Sequence, residues 1–207
     1  MISQSQETGR VSALTFDDGP NGRTTSRLLD FLGAHQIRAT FCLVGANIRA
    51  AGGRDLVRRM TLEGHVLANH STNHSDMGGW SRAAIRADLR ETLAIVREAL
   101  GDEDFAVPFF RAPFGEWGHS ESVAAEMGMQ SLAVLNTIND WNTQDPHLLA
   151  KNLRLAMKPG EIVIAHDGGG DREGTVDAVI AVVTERLAEG WSFALPAMIP
   201  GTPLSGP

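Results

Sequence analysis

An alternation along the chain narrows its possible folds more than any other feature. Short apolar runs near 11–16, 39–44, 65–68, 106–110, 130–136, 161–165 and 191–195 take turns with amphipathic stretches near 24–35, 54–63, 81–100, 120–127, 146–157 and 173–189. The first kind suits buried strands and the second suits helices with one apolar face. Seven strands interleaved with six helices predict an α/β domain built on a parallel sheet. Local signals support the boundaries: Ser81 suits an N-cap, Gly101 closes the same helix, and Pro146 fits a first turn. With no internal repeat and no interior linker, residues 1–207 read as a single domain with a core at 11–195 and a flexible tail at 198–207.

The polar residues predict a closed or nearly closed barrel of seven or eight β/α units. Asp17 and Asp18 follow the first expected strand, His70 and His74 the third, Arg111 the fourth, Asn136 to Trp141 the fifth and His166 the sixth. In a (β/α) barrel the carboxyl ends of the strands converge on one face, where sites are built. Five clusters of unusual polar residues would then meet in one place.

Composition removes several function classes. A net charge of -7 argues against nucleic acid or anionic membrane as the main partner. No apolar run is long enough to insert in a membrane. A single cysteine excludes an internal disulfide, and Cys42, inside "ATFCLVG", is expected as a small buried thiol. The opening "MISQSQETGR" has neither a basic start nor an apolar core. It therefore carries the expectation of a cytoplasmic protein, with a secreted mature or trimmed domain as the alternative. Nothing in the letters speaks to oligomeric state.

The stretch "ALTFDDGP" puts two carboxylates side by side at the end of an apolar run. Asp-Asp-Gly-Pro suits a tight turn, and that alone would account for it. In "NHSTNH", His70 and His74 are four apart, on one face if the segment is helical, and two imidazoles so placed can chelate one ion. Two solvated histidines in a polar loop would read the same. Adding one carboxylate of the Asp17–Asp18 pair gives two histidines and one acid with open positions, the composition of a catalytic rather than a structural zinc site.

"TFDDGP", "HSTNH", "RAPFG", "DWN" and "IVIAHD" occur in the order and spacing of a known family. Over residues 11 to 195 the chain resembles the NodB-type polysaccharide deacetylases, carbohydrate esterase family 4. The resemblance implies a distorted (β/α) barrel and a metal-dependent hydrolase that removes acetyl groups from N- or O-acetylated carbohydrate. The metal would be a divalent ion, Zn²⁺ above all, with Co²⁺, Ni²⁺ or Mn²⁺ as alternatives. It implies Asp18, His70 and His74 as ligands, Asp17 as general base held by Arg111, and His166 as general acid. The backbone N–H of Phe114 would help bind the oxyanion, and Trp141 and Ile164 would form the pocket for the acetyl methyl.

The fourth motif departs from the family pattern. The resemblance implies an acid four residues before the tryptophan, supporting the catalytic histidine; that position is Thr137. Either Asn136 takes the acid's place, through one inserted residue, or Asp140 bends in. With an amide as partner, His166 is expected to lose its proton at lower pH than usual for the family. Trp80 and Trp117, in loops on the same expected face, suit either sugar stacking or rim packing. "DGGGDREG" after His166 reads as a flexible turn, and Asp167 receives no role. The substrate is expected to be an acetylated carbohydrate or a small N-acetylated metabolite. Hydrolysis of another small-molecule amide on the same fold, or a non-catalytic carbohydrate-binding relative, are the competing readings.

Overall fold

The computed structural model describes residues 1–198; apart from Met198, the tail expected at 198–207 lies outside the described residues. Strands β1 (Val11–Gly19), β2 (Thr40–Leu43), β3 (Val66–Asn69), β4 (Phe109–Phe110), β5 (Gln130–Ser131), β6 (Ile162–His166) and β7 (Ser192–Phe193) form one sheet. Its helices are α1 (Gly22–Ala34), α2 (Gly45–Arg49), α3 (Gly53–Leu62), α4 (Arg82–Leu100), α5 (Ser120–Glu126), α6 (Pro146–Ala156) and α7 (Glu173–Ala188). Strand order is β5-β4-β3-β2-β1-β6, all parallel, with β7 beside the first residues of β1. This is the expected α/β barrel, curled and distorted.

The caps explain why the helices begin and end where they do. Ser81 accepts from the Ala84 N–H at 3.2 Å, and Gly101 at φ 69 closes α4. Asp145 accepts from the first amides of α6, with Pro146 next to it in the first turn. Along β1 the pleat separates two environments. Leu14 and Phe16 pack with Phe41, Leu43 and Val163 against Leu28, Leu29, Leu32 and Val179 of the helices. Ala13, of opposite parity, packs inside the barrel with Cys42, Ala68, Phe109 and Ile162. A fully buried aliphatic or aromatic side chain contributes about 1.5–3 kcal/mol, so the helix-facing layer is the main source of stability.

Three details differ from the sequence expectation. Strands β4 and β5 are two residues each, much shorter than the runs 106–110 and 130–136. Beyond β5 the chain leaves β4 and crosses to the far edge of the sheet. There Ile164 N–H donates to the Asn136 carbonyl (2.9 Å) and Ile138 N–H to that of Ile164 (3.2 Å). The rest of the seam is closed by the N-terminus, outside the expected core. Ile2 bridges Leu132, Gln4 bridges Glu161, and the Ile2 side chain is buried in the barrel. No periodicity in "MISQSQETGR" announced this, because the pairing is supplied by distant edges. The short helix α2 also went unread, at the end of the run 39–44.

Candidate active site

Register brings the two functional ends together. β1 and β6 pair so that Asp17 lies opposite His166, and the bulge between Asp17 and Gly19 turns Asp18 away from its neighbour. Asp18 has φ 69, a left-handed conformation that few non-glycine residues adopt. Two contacts hold it there. Asn47 Nδ2 donates to its carbonyl at 2.7 Å, and the Gly168–Gly169 backbone lies against it so closely that a Cβ on either glycine would strike Asp18. Gly168 and Gly169 of "DGGGDREG" are thus a packed support within what was expected as a flexible turn, while Gly170 faces open space.

His70 and His74 reach Asp18 without a helix. The segment after β3 is an irregular turn with Ser71 and His74 at positive φ, anchored to α4 by Thr72, whose amide donates to Asp88 Oδ1 at 2.9 Å. The two rings stand 5.0 Å apart. Their Nε2 atoms lie 3.4 and 3.2 Å from Asp18 Oδ1, a buried oxygen that accepts no hydrogen bond. His70 Nδ1 is 2.8 Å from the Arg111 carbonyl. A carbonyl only accepts, so Nδ1 carries a proton, and Nε2 is the atom left to offer a lone pair to a metal. Burial lowers the pKa of His74, which favours the neutral ring a metal requires. Burial raises the Asp18 pKa, but the nearby His70 and His74 more than offset this and hold it at about 2. One carboxylate and two imidazoles with ligand atoms within 4.8 Å of one another, one an orphaned buried oxygen, fit a divalent metal with positions to spare.

Asp17 faces the other way. Arg111, wholly buried, donates from Nη1 to Asp17 Oδ1 at 2.6 Å and to Thr15 Oγ1 at 2.9 Å. Burial disfavours the Asp17 carboxylate, yet Arg111, with smaller help from His70 and His166, drives its pKa below the usual value. Cys42 is buried beside this pair, as expected, and burial pushes its thiol well up.

The support of His166 overturns one expectation. Its Nδ1 donates to Asp140 Oδ1 at 2.7 Å, while Asp140 Oδ2 accepts from the His166 amide (2.8 Å) and Thr175 Oγ1 (3.0 Å). Asp140, fully buried, is therefore the acid that holds the histidine, brought in by a turn with Asn139 at φ 58. Asn136 is not in the site: its Nδ2 donates to the Ala156 and Ile162 carbonyls, fastening the barrel seam. No carboxylate is missing, and the pKa direction reverses. Burial would lower the His166 pKa, but the Asp140 hydrogen bond and the charges of Asp17, Asp140 and Asp18 raise it above 6.5.

Asp17, Asp18, His70, His74 and His166 line one cleft of about 520 Å³ with Phe114, Trp141, Ile164, Asn47, Thr137 and Arg172. Phe114 (φ 58) packs edge-on against His74 on one flank, and Trp141 packs edge-on against His166 on the other. Both are largely exposed, whereas Ile164 is buried at the base. Trp80 and Trp117 lie outside the cleft and pack on a separate cluster around Phe110. Sequence reasoning missed Asn47, Arg172 and Asp167. Asp167 is buried beneath Gly19 and accepts from Thr25 Oγ1 at 2.5 Å. Burial, with Asp18 and Asp17 nearby, raises its pKa to about 7.

Residues 4–132 match the polysaccharide deacetylase family. A chitooligosaccharide deacetylase from Rhizobium leguminosarum bv. trifolii is 31% identical over 192 residues, covering 87% of each chain. A peptidoglycan-N-acetylglucosamine deacetylase from Bacillus cereus is 31% identical over 189 residues, 90% of this chain and 67% of that one. The structure of a family 4 acetyl xylan esterase from Clostridium thermocellum in complex with a cobalt ion superposes with a TM-score of 0.79 at 28% identity, over 89% of this chain and 87% of that one. With matching motifs, fold and relatives, the chain belongs to the polysaccharide deacetylase family.

Proposed function

We propose that this protein is a divalent-metal hydrolase that removes acetyl groups from N-acetylated amino sugars in carbohydrate chains. One observation carries the reading: Asp17 and His166 are strand neighbours beside the Asp18–His70–His74 set, so a base and an acid flank a metal-binding triad in one cleft. The names of the two sequence relatives support an N-acetylated amino sugar as substrate, and the acetyl xylan esterase makes O-acetyl the alternative to test.

Asp18, His70 and His74 would hold the ion, with Zn²⁺ suited to two imidazoles and one carboxylate, and Co²⁺ a workable substitute. When bound, the metal supplies a Lewis acid for the acetyl carbonyl and a water acidified towards neutrality. Asp17, ionised and fixed by Arg111, accepts the proton that water loses as its oxygen bonds to the carbonyl carbon. The Phe114 amide, as the family resemblance implies, donates to the oxyanion. His166 keeps its proton on Nε2 while Nδ1 is committed to Asp140, and delivers it to the leaving nitrogen as the C–N bond breaks. Acetate and a free amine result. Ile164 at the base of the cleft and the face of Trp141 suit the acetyl methyl group.

The test is acetate release by the zinc-loaded protein from chitooligosaccharides, peptidoglycan fragments, acetylxylan and free N-acetyl sugars, each repeated with chelator. Chelator-sensitive release from the first two is expected. Release from acetylxylan alone would move the reading to O-acetyl. No release from any, with zinc verified in the protein, would overturn it.

A further inference from the structure

Arg172 is the buried cation of the cleft that the reaction above does not use. It occupies the N-cap position of α7 with φ -133 and ψ 19, and its side chain turns back into the 166–171 loop. Only 7% exposed, it lines the cleft, yet its hydrogen bonds go to main-chain carbonyls and not to a carboxylate. Nε donates to Gly168 O (2.8 Å), Nη2 to Gly169 O (3.1 Å), and Nη1 to both Asp140 O and Asp171 O (3.2 Å each). Four of the five N–H groups of the guanidinium fork are thereby used.

The recipients belong to opposite flanks of the site. Gly168 and Gly169 are the backbone pressed against Asp18, a metal-ligand candidate. Asp140 is the residue whose carboxylate holds His166. Planar, always charged and rigid, guanidinium alone among side chains can bind carbonyls on several sides at fixed angles. Gln144 gives a second hold on the Asp140 carbonyl at 2.7 Å, but it does not touch the glycine loop. Asp140 already reaches the glycine loop through His166, two residues before Gly168 in the chain, and the Gly168 amide donates to the Asp17 carbonyl. Arg172 adds a direct side-chain link from the Asp140 backbone to the Gly168 and Gly169 carbonyls.

We infer that Arg172 is a positioning residue that sets the metal-ligand flank and the proton-donor flank in register, by clamping the Gly168–Gly169 support of Asp18 to the backbone of Asp140. This rests on the deacetylase reading for its catalytic consequence, though not for its effect on metal affinity. Loss of an outer partner of this kind costs about 10–100-fold in metal affinity or activity. Because Arg172 meets the reacting groups only through others, the loss falls on kcat and not on KM.

The experiment compares the full-length wild type with Arg172→Met and Arg172→Lys. Zinc affinity is measured by competition with a chromophoric chelator, and kcat, KM and the pH–rate profile on a chitooligosaccharide. Arg172→Met is expected to lose about 10–100-fold in kcat with KM within about threefold, to bind zinc more weakly, and to have its alkaline limb at lower pH. Arg172→Lys should recover part of each, since it keeps the charge but cannot span four carbonyls. If Arg172→Met fails to fold, Arg172→Lys decides by the same readouts. A rise in KM alone would make Arg172 a substrate contact, and unchanged zinc affinity and pH profile would remove the clamp; either overturns the inference. So would failure of both variants to fold, which would leave a purely structural role. If the wild type releases no acetate, the functional reading fails, while the zinc comparison still tests the clamp.

Discussion

The two flanks of the cleft are held in place by different physics. On the Asp18–His70–His74 flank, Asp18, Ser71, His74 and neighbouring Phe114 all have positive φ, and the clustering is backbone strain concentrated at a site. The Asp18 oxygen between the imidazoles has no hydrogen bond, and two glycines without room for a Cβ press on the same residue. On the other flank, His166 ends a regular strand and Asp17 continues one, each side chain fixed by a full charge: Asp140 at 2.7 Å, Arg111 at 2.6 Å. Ligands for a cation must not be neutralised by a protein partner, so backbone geometry has to aim them. Proton-transfer groups need a set pKa, and a buried counter-charge provides it. Two adjacent aspartates can therefore differ in role because one is paired and the other is not.

The sharpest way to break this comparison is to treat the adjacent acids alike. Asp17→Asn should cost on the order of 10²–10⁴ in kcat, as loss of a general base does, and keep its zinc. Asp18→Asn should lose zinc by more than the ~10–100-fold seen when an outer partner is removed. Zinc stoichiometry after dialysis, read beside acetate release, separates them. Equal loss of zinc in both would erase the division of labour.

Next in size is the counter-charge of the acid. In the proposed reaction His166 works protonated, and its pKa is raised, so activity should hold above pH 6.5 and fall as pH rises through the folded value. The same sign applies to stability: what the imidazolium contributes is fully present below the unfolded pKa of about 6.5 and fades as pH rises through the raised one. Asp140→Asn removes the carboxylate, so the alkaline limb should move to lower pH. A limb that stays put in a pH–rate profile would mean Asp140 only orients the ring.

The smallest effect sharpens the backbone side. Gly169 sits at φ 72 with no space beside Asp18, so Gly169→Ala should cost about 1–3 kcal/mol of stability. It should also weaken zinc binding, while Gly170→Ala, with open space around it but φ 136, should cost stability without the zinc effect. Thermal melts with and without zinc would distinguish the two.

Much of this was legible in the letters. Short apolar runs and amphipathic stretches placed every strand of the sheet and six of the seven α-helices among the described residues, because burial against two layers dictates both patterns. "FDDG", the two histidines, Arg111, Trp141 and His166 announced a site, because charged and imidazole groups at strand ends have little packing use. The partner of His166 was not legible. Whether Asn136, Thr137 or Asp140 faces it depends on where the chain leaves β5 and on one left-handed residue, Asn139. Asn136 is instead consumed by the seam. Arg172 and the three glycines looked like solvent-exposed turn, since nothing local records how close Asp18 comes.

What the sequence determined by itself was the order of elements and the kinds of group gathered at one end of a parallel barrel, since hydrophobic period and side-chain chemistry are local properties. What only the tertiary structure decided was pairing: Asp17 with Arg111, His166 with Asp140, the N-terminus with both sheet edges, and Arg172 between the flanks. Each of those joins residues far apart in the chain through a register or a turn, and their energies depend on distances and burial that no single stretch encodes.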